Sequence, residues 1–417
     1  MTDAPPASWP FTQPLGTLPW PAGLLVLPDT LGAAEVAVLL CRGETPLEWP
    51  PALAFVAAAL DEDTERAAGL VPGADPLADY NRAVLIGDEE QWAAVAQRCA
   101  ADATVSALTA TARYSLGLQE ALPPVDGLPG EVAALVLSAR SSQCLERGDV
   151  SEAVEHLQVA VEAAATAGSP LLATSLAATQ AELLRETGNA PAAVERAGSA
   201  LALLAALPAT ATVDERRADL QLTRALARSE LADSQPWLLR DVVKDLQDAL
   251  TVFTEDAYPE RFAECSQHLA LAFLVMPLSS QGDRIRTGVA VNALRGALRV
   301  YDRSSHPVAW ASATLNLANA LQYLPSALPE QHLTEAVDLY EQVLQTRDER
   351  TDPIGVARTL ANQANALAHL GAFVDAGERL DRAEALFRGV GDDEGLVQVA
   401  EIRQEMAQRS SSTARGA

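Results

Sequence analysis

The sequence has 417 residues, of which 49% are hydrophobic and only 5% aromatic, and its formal charge is −26 at pH 7. Ala and Leu supply most of the apolar side chains, a composition that favours closely packed helices over a β-sandwich. A surface this acidic repels phosphate, which argues against nucleic-acid binding and predicts a protein or peptide partner that is basic or neutral.

Residues 1–30 are rich in proline and carry the aromatic side chains Trp9, Phe11 and Trp20. Because proline at this density is incompatible with a helix, we expect the segment to lie extended, either against the body of the protein or as an unanchored linker. It has no basic stretch and no long apolar run. These features predict neither a secretory signal nor a membrane span and favour a cytoplasmic protein.

Residues 31–125 are expected to form a mostly helical domain of short, irregular helices. The candidate helices are 31–41, 50–60, 76–86, 88–101 and 103–121. The apolar run Val36–Cys41 is also compatible with a buried strand, since short apolar runs do not discriminate between the two. A stretch rich in Pro and Gly over 123–130 predicts a domain division near residue 126.

From residue 129 onward the sequence repeats. Six predicted second helices each carry a small or branched residue, then usually a large one four positions on, then a small one three further. The triplets are Ala153/Leu157/Ala160, Ala193/Ala197/Ala200, Val242/Leu246/Ala249, Ala290/Leu294/Ala297, Ala336/Tyr340/Val343 and Ala376/Leu380/Ala383. This spacing places the three side chains of each triplet on one helix face, where small residues allow a neighbouring helix to approach closely.

The predicted first helices repeat as well. Several begin at a proline, which suits the first helical turn, and carry an alanine eleven residues later. The pairs are Pro170/Ala181, Pro259/Ala270, Pro307/Ala318 and Pro353/Ala364. Gly148, Gly188 and Gly371 follow the ends of first helices, where the left-handed conformation open to glycine predicts a tight turn.

The run Ala357–Phe387 resembles a tetratricopeptide repeat. The matching positions are Leu360, Ala364, Leu367, Gly371, Ala376, Leu380 and Ala383. The chain is similar to long-form bacterial proteins of this family, which often accompany CHAT-type protease modules. Repeats and resemblance together predict an all-α fold, a right-handed superhelix (α-solenoid) of six helix pairs over 129–392, with a capping helix over 393–410 and a disordered tail over 411–417.

The resemblance implies that the first helices line a concave groove that binds a peptide or protein segment. The family's groove positions correspond to Glu264, Gln267, His268, Ser312, Asn316, Asn319, Arg358, Asn362 and Asn365. Asparagine is mildly unfavourable within helices, yet the spacing NxxN occurs here twice. A row of amides suits the backbone of an extended peptide, although the same amides could instead hydrogen-bond between neighbouring helices. Arg358 is the only cation among these positions, whereas carboxylate-clamp members of the family use Asn and Lys.

The sequence predicts no enzyme and no cofactor. The common nucleotide-binding, metalloprotease and hydrolase motifs are missing, and the five histidines are scattered. Cys265 and His268 supply two ligands, fewer than the four of a structural zinc site, so no metal site is predicted. The four cysteines are expected to be reduced thiols.

Two alternatives to a peptide-binding scaffold remain open. In one, the array associates with itself or its groove is occupied by its own Pro-rich N-terminus. In the other, the chain is a non-catalytic accessory subunit of an enzyme encoded elsewhere. The sequence determines neither the oligomeric state nor the identity of the partner.

Overall fold

The computed structural model describes residues 19–20, 23–28, 30–276, 283–325 and 328–416. The chain divides into two compact units, the first ending at Leu231 and the second beginning at Ala232. The described residues are helical apart from loops and one short antiparallel pair of strands, β1 (Pro19–Trp20) and β2 (Gly23–Leu24). None of the described helices is both long enough and apolar enough to cross a membrane.

The first unit opens with short helices: α1 (Ala33–Leu40), α2 (Ala54–Leu60), α3 (Thr64–Leu70), α4 (Pro76–Ile86), α5 (Glu89–Arg98) and α6 (Ala103–Ser115). The run that was compatible with a strand is therefore helical. The predicted helices do not include α3, which begins after Asp63, whose carboxylate accepts a hydrogen bond from the Arg66 amide. Helix α6 stops short of residue 121 because the chain turns at Gly117, where φ is 71°.

Residues Leu25, Val26 and Leu27 lie extended and buried in the core of these helices. The side chain of Asn81 on α4 satisfies the backbone of Val26 in both directions. The Val26 amide donates to Asn81 Oδ1, and Asn81 Nδ2 donates to the Val26 carbonyl, each at 2.8 Å. The end of the Pro-rich segment is thus part of the fold. Residues 1–18 lie outside the described part of the chain.

The predicted division near residue 126 falls inside the first unit. Helix α7 (Gly130–Glu146) contributes Val132 to the core of the short helices. Its neighbour Glu131 is fully buried, accepts a hydrogen bond from the Ser169 hydroxyl and lies 3.6 Å from Cys41 Sγ. A buried carboxyl group needs such partners, so these contacts tie the N-terminal helices to the first repeats.

The repeat region continues with α8 (Val150–Thr166), α9 (Pro170–Glu186), α10 (Ala190–Leu204) and α11 (Ala211–Leu231). The second unit contains α12 (Leu239–Ala249), α13 (Pro259–Val275), α14 (Asp283–Val300), α15 (Pro307–Gln322), α16 (Pro329–Leu344), α17 (Pro353–His369), α18 (Phe373–Val390) and α19 (Asp393–Gly416). In the repeat region, consecutive helices pack against each other from α7 to α11 in the first unit and from α12 to α19 in the second, as in a tetratricopeptide-type solenoid.

The sequence features that predicted the repeats are confirmed. Every side chain of the six triplets is at most 1% exposed, and the four alanines of the first helices are fully buried. The four prolines each begin a helix. Gly148, Gly188 and Gly371 turn the chain with φ values of 79°, 79° and 82°. Because small residues fill the contacts, consecutive helices can pack closely.

The same side-chain bridge, which was not predicted from the sequence, joins α8 to α9 and α16 to α17. Gln180 on α9 donates to the Val154 carbonyl and to Gln158 on α8, at 3.1 and 3.4 Å, and Arg196 on α10 also donates to Gln158. Gln363 on α17 repeats the bridge with Val337 and Glu341 on α16, at 3.2 and 3.3 Å, joined by Arg379 on α18. The sequence separations are the same, 26, 22 and 38 residues.

The final helix, α19, begins where the capping helix was expected. It packs against α17 and α18 and contributes the buried side chains Val399 and Ile402 to their core. The helix runs on to Gly416, through most of the segment expected to be a disordered tail. The sequence offers no proline to stop it, and Ala414 and Arg415 are good helix formers.

Candidate binding face

The nine residues predicted to line the groove lie on three first helices of the second unit, α13, α15 and α17. We call these residues the polar face. Helix α13 contacts α15, and α15 contacts α17. Eight of the side chains are half-buried, and Arg358 is exposed. The structure brings Gln267 together with Ser312, at 3.2 Å, and Asn319 together with Asn362, at 3.1 Å.

Several of the amides bond between neighbouring helices. Asn319 Oδ1 accepts from Asn362 Nδ2 across α15 and α17, and Asn362 Oδ1 accepts from Gln398 on α19 at 3.3 Å. One turn further along, Asn365 Nδ2 donates to Gln322 Oε1 at 3.2 Å. This row of bonds stabilises the packing of the first helices. It corresponds to the alternative interpretation of the asparagines, in which the amides hydrogen-bond between neighbouring helices. It also holds each amide in a defined orientation.

Tyr340 supports the row from behind, although the sequence showed it only as the large member of a core triplet. Its hydroxyl donates to Asn319 Oδ1 at 2.6 Å and accepts from Gln322 Nε2. The ring is fully buried, and this burial raises the pKa of the Tyr340 phenol, so that the hydroxyl stays protonated and donates. Gln322 and Gln398, like the Tyr340 hydroxyl, were missed, because their roles depend on which helices become neighbours.

Some amide groups of the polar face have no hydrogen-bond partner in the described part of the chain. Asn316 is half-buried, and its side chain makes no hydrogen bond with any described residue. Asn319 uses its oxygen twice, while its Nδ2 donates to no group in the described part of the chain. Asn365 donates through Nδ2, and its oxygen accepts no bond from the described residues. The face therefore combines amide donors and acceptors that are still able to bind a ligand.

Two of the nine residues of the polar face, Arg358 and Glu264, are charged. The Arg358 side chain is 59% exposed, with Nη2 at 3.9 Å from Asp392. Glu264 lies 3.1 Å from Arg261 on the same helix. Both ion pairs are solvent-accessible and contribute little to stability, which leaves their charges available to a partner.

Among the described residues, a group of three side chains that could hold a metal ion lies in the first unit. The ligand atoms of Cys144 on α7 and of Glu152 and His156 on α8 all lie within 4.8 Å of one another. Burial, and then the neighbouring Glu152 carboxylate, raises the pKa of the Cys144 thiol. The sequence pattern pointed only to Cys265 and His268 and not to this group, because its three members come from two helices.

Comparisons with solved structures return helical proteins with low sequence identity. BtubC (BKLC) from P. vanneervenii is 18% identical over 62% of this chain and 93% of its own, with a TM-score of 0.41. PilF of Pseudomonas aeruginosa is 18% identical over 66% of this chain and 99% of its own, with a TM-score of 0.42. The TPR2AB domain of yeast Sti1, solved in complex with pHSP90, is 16% identical over 66% of this chain and 98% of its own, at 0.24.

Superpositions this loose assign neither a family nor a function to the chain. No protein-family model matches the sequence, and no curated protein matches it either. The fold stands instead on the chain's own features: helices packed in sequence order, buried triplets and glycine turns. These make it a helical repeat protein of tetratricopeptide type in architecture.

Proposed function

We propose that the chain is a non-catalytic interaction scaffold whose polar face binds an extended peptide segment of a protein partner. The observation that supports this most directly is Asn316, a half-buried side-chain amide on α15 that makes no hydrogen bond with any described residue. Its amide can therefore exchange water for the donor and acceptor of a bound peptide.

The polar face matches the hydrogen-bonding pattern of an extended backbone. A peptide presents N–H donors and C=O acceptors in turn, and an amide side chain can satisfy one of each. A peptide that crosses α15 and α17 would find donors at Asn316 and Asn319 and acceptors at Asn316 and Asn365. Because the row of amide bonds and Tyr340 hold Asn319 and Asn365 in place, these two side chains lose little conformational entropy on binding.

Charge favours a basic or neutral peptide. The chain carries a formal charge of −26, and Glu264 belongs to the polar face. A basic segment would be attracted at long range, and raising the salt concentration would weaken its binding. Arg358, the one arginine of the polar face, suits one acidic or carbonyl group of the peptide rather than a full carboxylate clamp.

A peptide-display screen against the immobilised full chain tests the proposal. Enriched peptides would be synthesised, and their dissociation constants measured for the wild type and for the double variant Asn316→Ala/Asn365→Ala. Loss of two neutral hydrogen bonds is expected to weaken binding by about 10-fold or more.

Asn292→Ala is the matched control, because Asn292 is exposed on the second helix α14, away from the polar face. It should leave the dissociation constant unchanged, and circular dichroism should show that all variants keep their helix content. Enrichment of no peptide, or equal affinity for the wild type and the double variant, would refute binding at this face.

Occupation by the chain's own N-terminus is the alternative, and a truncation separates it from the scaffold proposal. The cut belongs after residue 18, because Leu25–Leu27 are core residues of the first unit. If residues 1–18 occupy the face, removing them should tighten peptide binding. Unchanged affinity would exclude self-occlusion. In the accessory-subunit alternative, the partner would be an enzyme that the chain binds in the host cell. A CHAT-type protease is among the candidates for this enzyme.

A further inference from the structure

The first helix pair carries a group of three metal-ligand side chains around its turn. Cys144 lies in the last turn of α7, and Glu152 and His156 lie one turn apart on α8. His156 Nε2 is 3.6 Å from Glu152 Oε1, and the three ligand atoms are within 4.8 Å of one another. A tetrahedral zinc ion with bonds of about 2.0–2.3 Å holds its ligands about 3.3–3.8 Å apart, so side-chain rotations that move the three atoms by about an ångström would bring them into its shell.

Comparison with other helix pairs shows what is unusual here. Counted from the turn glycine, the same three positions hold Leu184, Ala192 and Arg196 in the second pair and Leu367, Asp375 and Arg379 in the sixth. There the leucine packs against a neighbouring hydrophobic cluster, and the arginine bonds to the second helix of the preceding pair. The first pair follows α6, which is not a second helix of a repeat. Its third position therefore has no such helix to reach.

We propose that Cys144, Glu152 and His156 bind a divalent transition-metal ion of the zinc class. One thiolate, one imidazole and one carboxylate form a mixed S, N and O donor set that favours Zn²⁺ or Co²⁺ over Mg²⁺ or Ca²⁺. Cys144 is 4% exposed, which keeps bulk water from the sulfur side, while Glu152 is exposed. The remaining coordination position opens to solvent on that side, where water or an external ligand completes the shell.

Such an ion would join the end of α7 to the start of α8. The turn at Gly148 already brings the two helices together, with the Asp149 carboxylate accepting from the Glu152 amide at 3.2 Å. The metal would hold the first helix pair closed at the side where the repeat array begins. This inference is independent of peptide binding at the polar face, which belongs to the other unit.

Cobalt titration of the full chain tests the proposal. The protein would be stripped of metal with a chelator, kept reduced, and titrated with Co²⁺ while absorption is recorded. Binding is expected to produce a thiolate-to-cobalt charge-transfer band in the near ultraviolet and tetrahedral d–d bands in the visible, both abolished by added Zn²⁺. His156→Gln should weaken the affinity for Co²⁺ by at least the roughly 10-fold that loss of even an outer-shell partner costs.

Cys144→Ser should remove the charge-transfer band, whereas Cys265→Ser should retain it at full intensity. Cys265 is the control because it is also a buried thiol near a histidine, His268, on one helix. Glu152→Gln, which changes an exposed residue and is expected to keep the fold, should lower the affinity as well. A wild-type chain without the band, or a Cys144→Ser variant that keeps it, would overturn the assignment.

Discussion

Asp302 shows how one side chain can organise the connection between two helices. It lies between α14 and α15, and its Oδ1 accepts hydrogen bonds from the Ser304 amide at 2.7 Å and the Ser305 amide at 3.1 Å. The Ser304 hydroxyl donates to the same oxygen. These bonds, the Ser304 hydroxyl first, lower the pKa of Asp302 from 3.8 to about 2.

We therefore expect Asp302 to stabilise the folded chain in its ionised form only. A carboxyl whose folded pKa lies below its unfolded value stabilises the protein above pH 3.8, and this contribution is lost as the pH falls towards about 2. Carboxyl-detected NMR titration should return a pKa near 2 and show it rising in Ser304→Ala. Ser199→Ala, whose hydroxyl bonds a backbone carbonyl on α10, should not move it. An Asp302 pKa near its ordinary value in the wild type would contradict the geometry.

At the scale of the helix, glycine has opposite roles in α17 and α18. Gly371 ends α17 with a φ of 82°, in the left-handed region that side chains with a Cβ disfavour. Gly377 lies inside α18, where a Cβ would meet no atom within 4 Å. The same substitution should therefore change stability in opposite directions at two positions six residues apart.

Gly371→Ala is expected to destabilise the second unit by about 1–2 kcal/mol, the cost of a left-handed non-glycine residue. Gly377→Ala should stabilise it by about 0.5–1 kcal/mol through helix propensity. Urea unfolding followed by circular dichroism measures both. Equal effects of the two variants would show that the turn at Gly371 does not require its left-handed conformation.

The sequence predicted the elements that local chemistry controls and missed those that depend on a neighbour. The backbone preferences of Pro353 and Gly371 set the start and the end of α17, and the triplet of α18 is periodic. Both features were therefore predictable from the sequence. The short helix α3 lacks such periodicity. The bridge of Gln363 and the hydroxyl of Tyr340 depend on which helix lies opposite, which one sequence does not reveal. For the polar-face residues, their spacing along each helix predicted that they share one face. It did not predict the hydrogen bonds between them.

At the scale of the molecule, each unit has its own hydrophobic clusters. Those of the second unit gather buried residues from α13 to α19. In repeat proteins, stability is a sum of local terms between neighbouring helices, and a defect is felt mainly nearby.

Leu380→Ala should accordingly destabilise the second unit alone. The side chain is fully buried in α18, and its truncation is expected to cost about 2–5 kcal/mol. Hydrogen exchange measured by mass spectrometry should show lost protection in α17, α18 and α19, with α7 to α10 unchanged. Leu203→Ala, at a side chain 43% exposed on α10, is the control and should change little. Equal loss of protection in both units would show that they unfold as one.

The buried contacts of Cys41 form late during synthesis on the ribosome, because its partners lie far along the chain. Glu131 and Ser169, which meet Cys41, follow it by 90 and 128 residues. Val26 precedes its own partner, Asn81, by 55 residues. The N-terminal helices emerge first, yet Cys41 meets both partners only once Ser169, directly before α9, has been synthesised. Until then Cys41, at the end of α1, stays open to other chains and to chaperones.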